Sequence, residues 1–192
     1  TVEVNPESAG RDKLELFRQG GINRLSIGLQ STHDQMLKKL GRLHDFKKFE
    51  TVFANARQVG FQNINVDLMY GLPQQTLSQW HETLEIISQK KPEHISAYAL
   101  KIEDNTHFAN AGIYVDDDLE AEMYLDASNF LQQHGYEHYE ISNFSQPSYA
   151  CQHNLTYWKN GRFIGVGLSA ASNENGIRRQ NTRGLKEYIF GQ

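Results

Sequence analysis

A single cysteine, Cys151, stands in a chain of 192 residues. It excludes an internal disulfide framework, and equally any thiolate metal cluster built by this chain alone. Long apolar runs are missing as well: no stretch approaches the roughly 20 residues that a membrane-spanning helix needs. Excess positive charge is absent too. The formal charge of −4 removes the electrostatic case for a nucleic-acid partner or for contact with an anionic membrane. Neither an internal repeat, nor a low-complexity tract, nor a charged and apolar leader occurs. What remains, with 39% hydrophobic and 22% charged residues, is an ordinary globular composition. A cytoplasmic protein is expected, of a length that suits one domain or part of a larger one. The chain opens Thr1-Val2-Glu3-Val4-Asn5-Pro6, a strand ended by proline, with no initiator methionine. A chain cut from something longer is the expectation.

The pattern then alternates between two periods. From Pro6 a helical stripe of Leu14, Leu16 and Phe17 runs to Gly20-Gly21. Asn23 to Gln30 reads as a strand, Thr32 and Gln35 have the spacing of a capping box for a short helix, and Asp45 is the expected N-cap of a helix burying Phe46, Phe49, Val52, Phe53 and Ala56. Asn63 to Met69 is the next strand. Thr76 starts a helix with Leu77, Trp80, Leu84 and Ile87 inward, and His94 to Leu100 is a fourth strand. Strands alternating with helices are the signature of a parallel sheet. Beyond it lie a helix from Leu119 to His134, a strand from Tyr136 to Phe144, an Asn160-Gly161 turn, a strand from Phe163 to Leu168 and a short helix from Leu185 to Phe190.

The four early strands share a peculiarity. One face of each is aliphatic or small, while the other carries Glu3 and Asn5, Arg24 and Gln30, Asn65 and Asp67, or Ser96 and Tyr98. A strand covered by helices is ordinarily apolar on both sides, so the carboxylate of Asp67 in mid-strand needs a reason. If the sheet curls into a barrel, the aliphatic face packs under the helices and the polar face lines an interior that opens at the strands' C-terminal ends. The competing arrangement, a sheet with one solvated face, calls for hairpins between successive strands, and the intervening helices argue against it.

Glu3, Gln30, Arg42, Asp67 and Tyr98 together offer the groups for a polar ligand that carries an amino acid and a nucleoside. Carboxylates accept from an ammonium or from ribose hydroxyls, a guanidinium forks onto a carboxylate, an amide serves either polarity, and a ring stacks on a base. Singly, each has a plain alternative: Asp67 as a cap for the Gly71 turn, Tyr98 as a core ring with its hydroxyl satisfied. The run His153-Asn154-Leu155-Thr156-Tyr157-Trp158 sets an imidazole beside two flat rings. That is a haem-like donor set, or a segment that docks by its aromatic residues. Cys151 beside it is equally a small buried hydrophobe.

The segments Thr1 to Pro6, Arg24-Leu25-Ser26-Ile27-Gly28-Leu29-Gln30, Arg42, Val66-Asp67-Leu68-Met69-Tyr70-Gly71-Leu72-Pro73, Tyr139-Glu140-Ile141-Ser142-Asn143-Phe144 and His153 to Trp158 resemble the radical S-adenosylmethionine enzymes. Within that family they are similar to the oxygen-independent coproporphyrinogen III oxidase-like proteins of the haem-chaperone branch. The resemblance implies an α/β fold, a partial parallel (β/α) barrel of the radical S-adenosylmethionine type with its later strands only (1–115), followed by a small α+β extension (116–192). It implies that Glu3, Gln30, Arg42 and Asp67 contact S-adenosylmethionine, with Tyr98 and Leu100 near the adenine. His153, Asn154, Tyr157 and Trp158 would belong to a haem-binding segment. The family's three cluster-binding cysteines are missing here, so ligands for a [4Fe–4S] cluster would lie outside this chain. Many relatives carry a glycine and a histidine where Ser169 and Ala171 stand in Gly165 to Ser172, which puts a histidine role there in doubt.

Three functions follow as expectations: haem binding and delivery; radical oxidative decarboxylation of coproporphyrinogen III; and a general barrel enzyme with Asp67 as base. The first is preferred, because the His153 to Trp158 run follows the Tyr139 to Phe144 segment as it does in that branch. The implied partners are haem or a porphyrinogen and an electron donor protein for the parent. An unpaired strand edge beside Thr1 also suggests a homodimer.

Overall fold

Period-two segments become strands and period-3.6 segments become helices over most of the chain. The computed structural model describes residues 1–191 other than 105, 112 and 115. In chain order the elements are β1 (Val2–Val4), a 3-10 turn (Pro6–Ser8), α1 (Arg11–Gln19), β2 (Leu25–Gln30), α2 (Asp34–Lys39), α3 (Phe46–Val59), β3 (Ile64–Tyr70), α4 (Leu77–Gln89) and β4 (His94–Ala99). They are followed by α5 (His107–Asn110), α6 (Asp117–Gln133), β5 (Glu137–Glu140), β6 (Asn143–Ser145), α7 (Gln152–Trp158), β7 (Ala171–Glu174), β8 (Ile177–Gln180) and α8 (Leu185–Phe190). Among the described residues no helix is long and apolar enough to cross a membrane.

The strands β1 to β4 run parallel in sequence order, and β6 then β5 extend the sheet antiparallel, giving the order β1-β2-β3-β4-β6-β5. The aliphatic sheet face, with Leu25, Ile27, Leu29, Ile64, Val66, Leu68, Ile95 and Ala97, is buried in one cluster with Leu14, Phe49, Phe53, Trp80, Leu84 and Met123 of the helices. Local signals hold at two helix starts. Asp45 accepts from the Lys48 amide, and Thr76 with Gln79 forms a complete capping box.

Several expectations are corrected. The Thr32–Gln35 box does not form: α2 starts at Asp34, and the Thr32 hydroxyl instead meets that of Thr83 at 2.9 Å. A tertiary hydrogen bond has outcompeted a local one. Leu16 is exposed because Leu14 and Phe17, three apart, define the buried stripe of α1, and Leu77 sits exposed at the first position of α4. Tyr136 to Phe144 is a tight hairpin rather than one strand, since the Ser142 amide turns back onto Glu140 Oε1 at 3.2 Å. Phe163 to Leu168 is not a strand. Phe163 makes a lone bridge to Asn173, and the hairpin forms later, at β7–β8, where Asn175 and Gly176 both take left-handed angles. Asn160, also left-handed, follows the end of α7.

The chain divides into two compact units, Thr1–Tyr149 and Ala150–Gln192. Residues 116–149, grouped with the extension on sequence grounds, supply α6, β5 and β6 to the first unit, and residue 115 lies outside the described residues.

Candidate functional site

Pairing register aligns the polar residues into two rows across the inner sheet face. One row is Glu3, Ser26, Asn65, His94 and Ser145, and the next is Gly28, Asp67, Ser96 and Asn143. Glu3, Gly28 and Asp67 of these rows, with Val4, Asn5, Gln30 and Arg42, line a cavity of about 330 Å³. Four of the six residues expected for the nucleoside-bearing ligand, Glu3, Gln30, Arg42 and Asp67, are thus brought together. Tyr98 and Leu100 are not in that lining. Tyr98 lies further along β4, 42% exposed, and Leu100 is buried with Met36 and Leu72.

Two local devices build the cavity wall. At the end of β2 the ladder slips between Gly28 and Gln30, and Gln30, though buried, takes φ 75°. A left-handed non-glycine at a bulge is strain held by its surroundings, and it turns the Gln30 amide into the cavity. Gly28 makes room for that turn: a Cβ there would stand 2.9 Å from Gln30 Nε2 and 3.2 Å from Asn5 Oδ1. The second device is the loop after α2. His44 is buried with its ring nitrogens 3.0 Å from Glu7 Oε2 and 3.3 Å from the Leu29 carbonyl, which pins the loop to the bulge. Arg42, two residues earlier, donates to Asn5 Oδ1 at 3.1 Å.

Asp67 is the pivot of the electrostatics. Its carboxylate accepts from Ser26 Oγ at 3.0 Å and from Asn65 Nδ2 at 2.7 Å. Burial pushes its pKa above the usual carboxylate value; the bonds from Ser26, Asn65 and Ser96 oppose that rise, and the Glu3 carboxylate adds to it. A partly buried carboxylate beside a second one is an environment that a cationic ligand relieves.

His94, which the sequence reading left without a role, is fully buried, and desolvation with the nearby Arg24 guanidinium lowers its pKa to about 3. The sign follows directly. Because the folded value lies below the unfolded one, His94 leaves stability intact above about pH 6.5, and stability falls as the unfolded chain takes up the proton below that. Between pH 7.5 and pH 5.0 the wild-type chain is expected to lose about 2 kcal/mol more than His94→Gln does. Urea denaturation of both at the two pH values measures it, and equal losses would refute the assignment.

The second unit presents the other predicted residues. α7 carries His153 and Tyr157 one turn apart, with ring centroids 4.7 Å apart, and Tyr157 meets the edge of Phe163 at 4.5 Å. His153, Tyr157 and Trp158 are exposed, and Asn154 is half-buried. An accessible imidazole with the Tyr157 ring beside it would offer a nitrogen to iron and an aromatic surface to a macrocycle. For an iron–sulfur cluster this chain offers one cysteine. Among the described residues no group of three or more His, Cys, Asp or Glu side chains is placed to hold a metal ion.

The profile of the Radical SAM superfamily matches residues 1–87. Coproporphyrinogen III oxidase (HemN) from Escherichia coli, described as a radical SAM enzyme, superposes with a TM-score of 0.81 at 25% identity, over 96% of this chain and 46% of that one. Residues 1–87 of this chain belong to the radical SAM superfamily. The family employs S-adenosylmethionine with a [4Fe–4S] cluster. Heme chaperone HemW of Bacillus subtilis (strain 168) is 39% identical over 193 residues, 98% of this chain and 51% of that protein. Heme chaperone HemW of Escherichia coli (strain K12) is 37% identical over 171 residues, 88% of this chain and 45% of that protein. The chain spans about half the length of the curated relatives it matches.

Proposed function

We propose that this chain is the part of a haem chaperone that holds S-adenosylmethionine and presents a haem-binding helix, and that it takes up and delivers haem. The observation that carries the reading is α7, where an exposed His153 stands with Tyr157 and Trp158 on one short helix. The likeness to proteins named heme chaperone HemW over nearly the whole chain supports it. His153 would ligate iron while Tyr157 and Trp158 pack on the macrocycle and Asn154 assists by hydrogen bonding. In the first unit, Glu3 and Asp67 would accept from the ammonium or ribose hydroxyls of S-adenosylmethionine, Arg42 would fork onto its carboxylate, and Gln30 would bridge. Tyr98 and Leu100 would lie towards its adenine. Bound beside a reduced cluster, S-adenosylmethionine supplies radical chemistry. An electron donor protein is a partner of that part. The cytoplasm is the compartment that a chain with one cysteine suits.

Titrating hemin into the chain and following its Soret band tests the reading. His153→Ala is expected to weaken binding by about tenfold or more, and an unchanged affinity would remove the haem assignment. The structural likeness to coproporphyrinogen III oxidase favours a second reading, radical decarboxylation of coproporphyrinogen III. Anaerobic assay of a cluster-loaded protein containing this chain at the length of its relatives separates the two: conversion of that substrate supports the oxidase, and tight haem binding without conversion supports the chaperone.

A further inference from the structure

The segment Tyr139-Glu140-Ile141-Ser142-Asn143-Phe144 has no part in either ligand reading, yet its polar side chains meet the inner sheet face. Tyr139 Oη lies 2.7 Å from His94 Nε2, ring edge to ring face. His94 Nδ1 lies 2.6 Å from Asn65 Oδ1, and Asn65 Nδ2 lies 2.7 Å from both Asp67 Oδ1 and Ser26 Oγ. A second arm runs in parallel. Ser96 Oγ donates to Asn143 Oδ1 at 2.7 Å and is 3.1 Å from Asn65 Oδ1, while the Asn143 amide donates to Glu140.

Donor directions in the first arm follow by elimination. A carboxylate only accepts, so the Asn65 amide must turn its NH2 to Asp67 and its carbonyl to His94. That carbonyl only accepts, so His94 carries its hydrogen on Nδ1. A neutral imidazole then has a bare Nε2, and the Tyr139 hydroxyl donates to it. Every donor therefore points along one line, from Tyr139 through His94 and Asn65 to Asp67. Such chains strengthen the last bond, here the one on the carboxylate.

We propose that the β5–β6 hairpin is a positioning device for the cavity: Tyr139, acting through His94 and Asn65, holds the Asp67 carboxylate ionised and aimed at a cationic or hydroxylic ligand. This rests on Asp67 being a ligand contact. The other groups facing Asp67 are Glu3 from β1, which disfavours its charge, Ser26 from β2, Ser96 and Tyr98 from β4, and Arg42 in the lining of the same cavity. Glu140 faces Tyr98, and Arg24 faces His94. Of these others only Ser96 comes within hydrogen-bond distance of Asn65 Oδ1, at 3.1 Å, and its single proton goes to Asn143 Oδ1.

The test follows two quantities across a pH titration: S-adenosylmethionine affinity by calorimetry, and the Asp67 carboxyl carbon by NMR in the unliganded chain. Affinity is expected to rise with pH as Asp67 ionises. Tyr139→Phe keeps the ring and removes only the hydroxyl, and is expected to move both midpoints up by about half a pH unit; His94→Leu is expected to move them by about one unit. His94→Gln can donate to Asn65 and accept from Tyr139, and should restore the wild-type midpoints. A merely structural role would lower melting temperature and leave the midpoints in place, and that result overturns the proposal. Asp67→Asn separates the two layers. If it binds the ligand as wild type does, the contact reading fails, while the carbon titration still reports on the relay. If it loses binding but Tyr139→Phe and His94→Leu titrate as wild type, the relay alone fails.

Discussion

Replacing Asp67 with asparagine is expected to weaken S-adenosylmethionine binding by about ten- to a hundredfold near pH 7.5. A charge-assisted hydrogen bond contributes about 1.5–3 kcal/mol, and each 1.4 kcal/mol is about tenfold in affinity. The same change should not lower the stability of the unliganded chain. Asp67 is raised in pKa by burial and by Glu3, so its ionised form is disfavoured in the folded state at any pH above its unfolded value. A neutral amide removes that burden and still accepts from Ser26 or Asn65. The signature is therefore a loss of affinity by calorimetry with a melting temperature that holds or rises. A loss of both would make Asp67 a structural carboxylate, the plain alternative raised by its place before the Gly71 turn.

The largest stability effect is expected at Trp80. Its indole is fully buried, packs at a tilt against Tyr70 of β3 with ring centroids 5.3 Å apart, and donates from Nε1 to the Met123 carbonyl of α6 at 2.8 Å. One side chain thus ties α4 to the sheet and to α6. Trp80→Ala is expected to cost about 3–5 kcal/mol for the lost burial and the cavity, with about 1 kcal/mol more for the lost hydrogen bond to the Met123 carbonyl. That is on the order of half the stability of an ordinary domain. Trp80→Phe should cost much less, because most of the ring volume remains. Urea denaturation followed by circular dichroism measures both, and an alanine variant within 1 kcal/mol of wild type, a bound set against the same roughly 3–5 kcal/mol expectation, would contradict this account.

Both effects come from residues that were visible as candidates before the fold was. Asp67 stood out as a carboxylate in a strand whose neighbours are aliphatic, and Trp80 fell on the inward stripe of a capped helix. His94 and Tyr139 did not stand out. His94 opens a strand, where a polar residue needs no explanation, and Tyr139 lies 45 positions away from it. The hairpin itself was hidden because β5 and β6 are joined by only Ile141 and Ser142, too short an interruption for a period-two pattern to reveal. Gln30 was singled out for its chemistry, whereas its left-handed backbone, the feature that turns it into the cavity, has no mark in a sequence that places glutamine there.

What the sequence by itself determined is local: the four early strands and the main helices between them, which face of each of those strands is polar, where Asp45 and Thr76 start helices, and that one cysteine is too few for a cluster. Those features depend on residues within a turn or two of each other, and their energies are set before the chain folds. Only the tertiary structure decided how the polar faces line up. Alternation assigns a side chain to a face but leaves the register between strands open. It is register that brings Ser26 against Asn65, Asn65 against His94 and Gly28 against Asp67. The return of Arg42 to Asn5, pinned by His44 to the bulge at Leu29, is likewise a contact between distant segments, and its energy exists only once the core has closed beneath it.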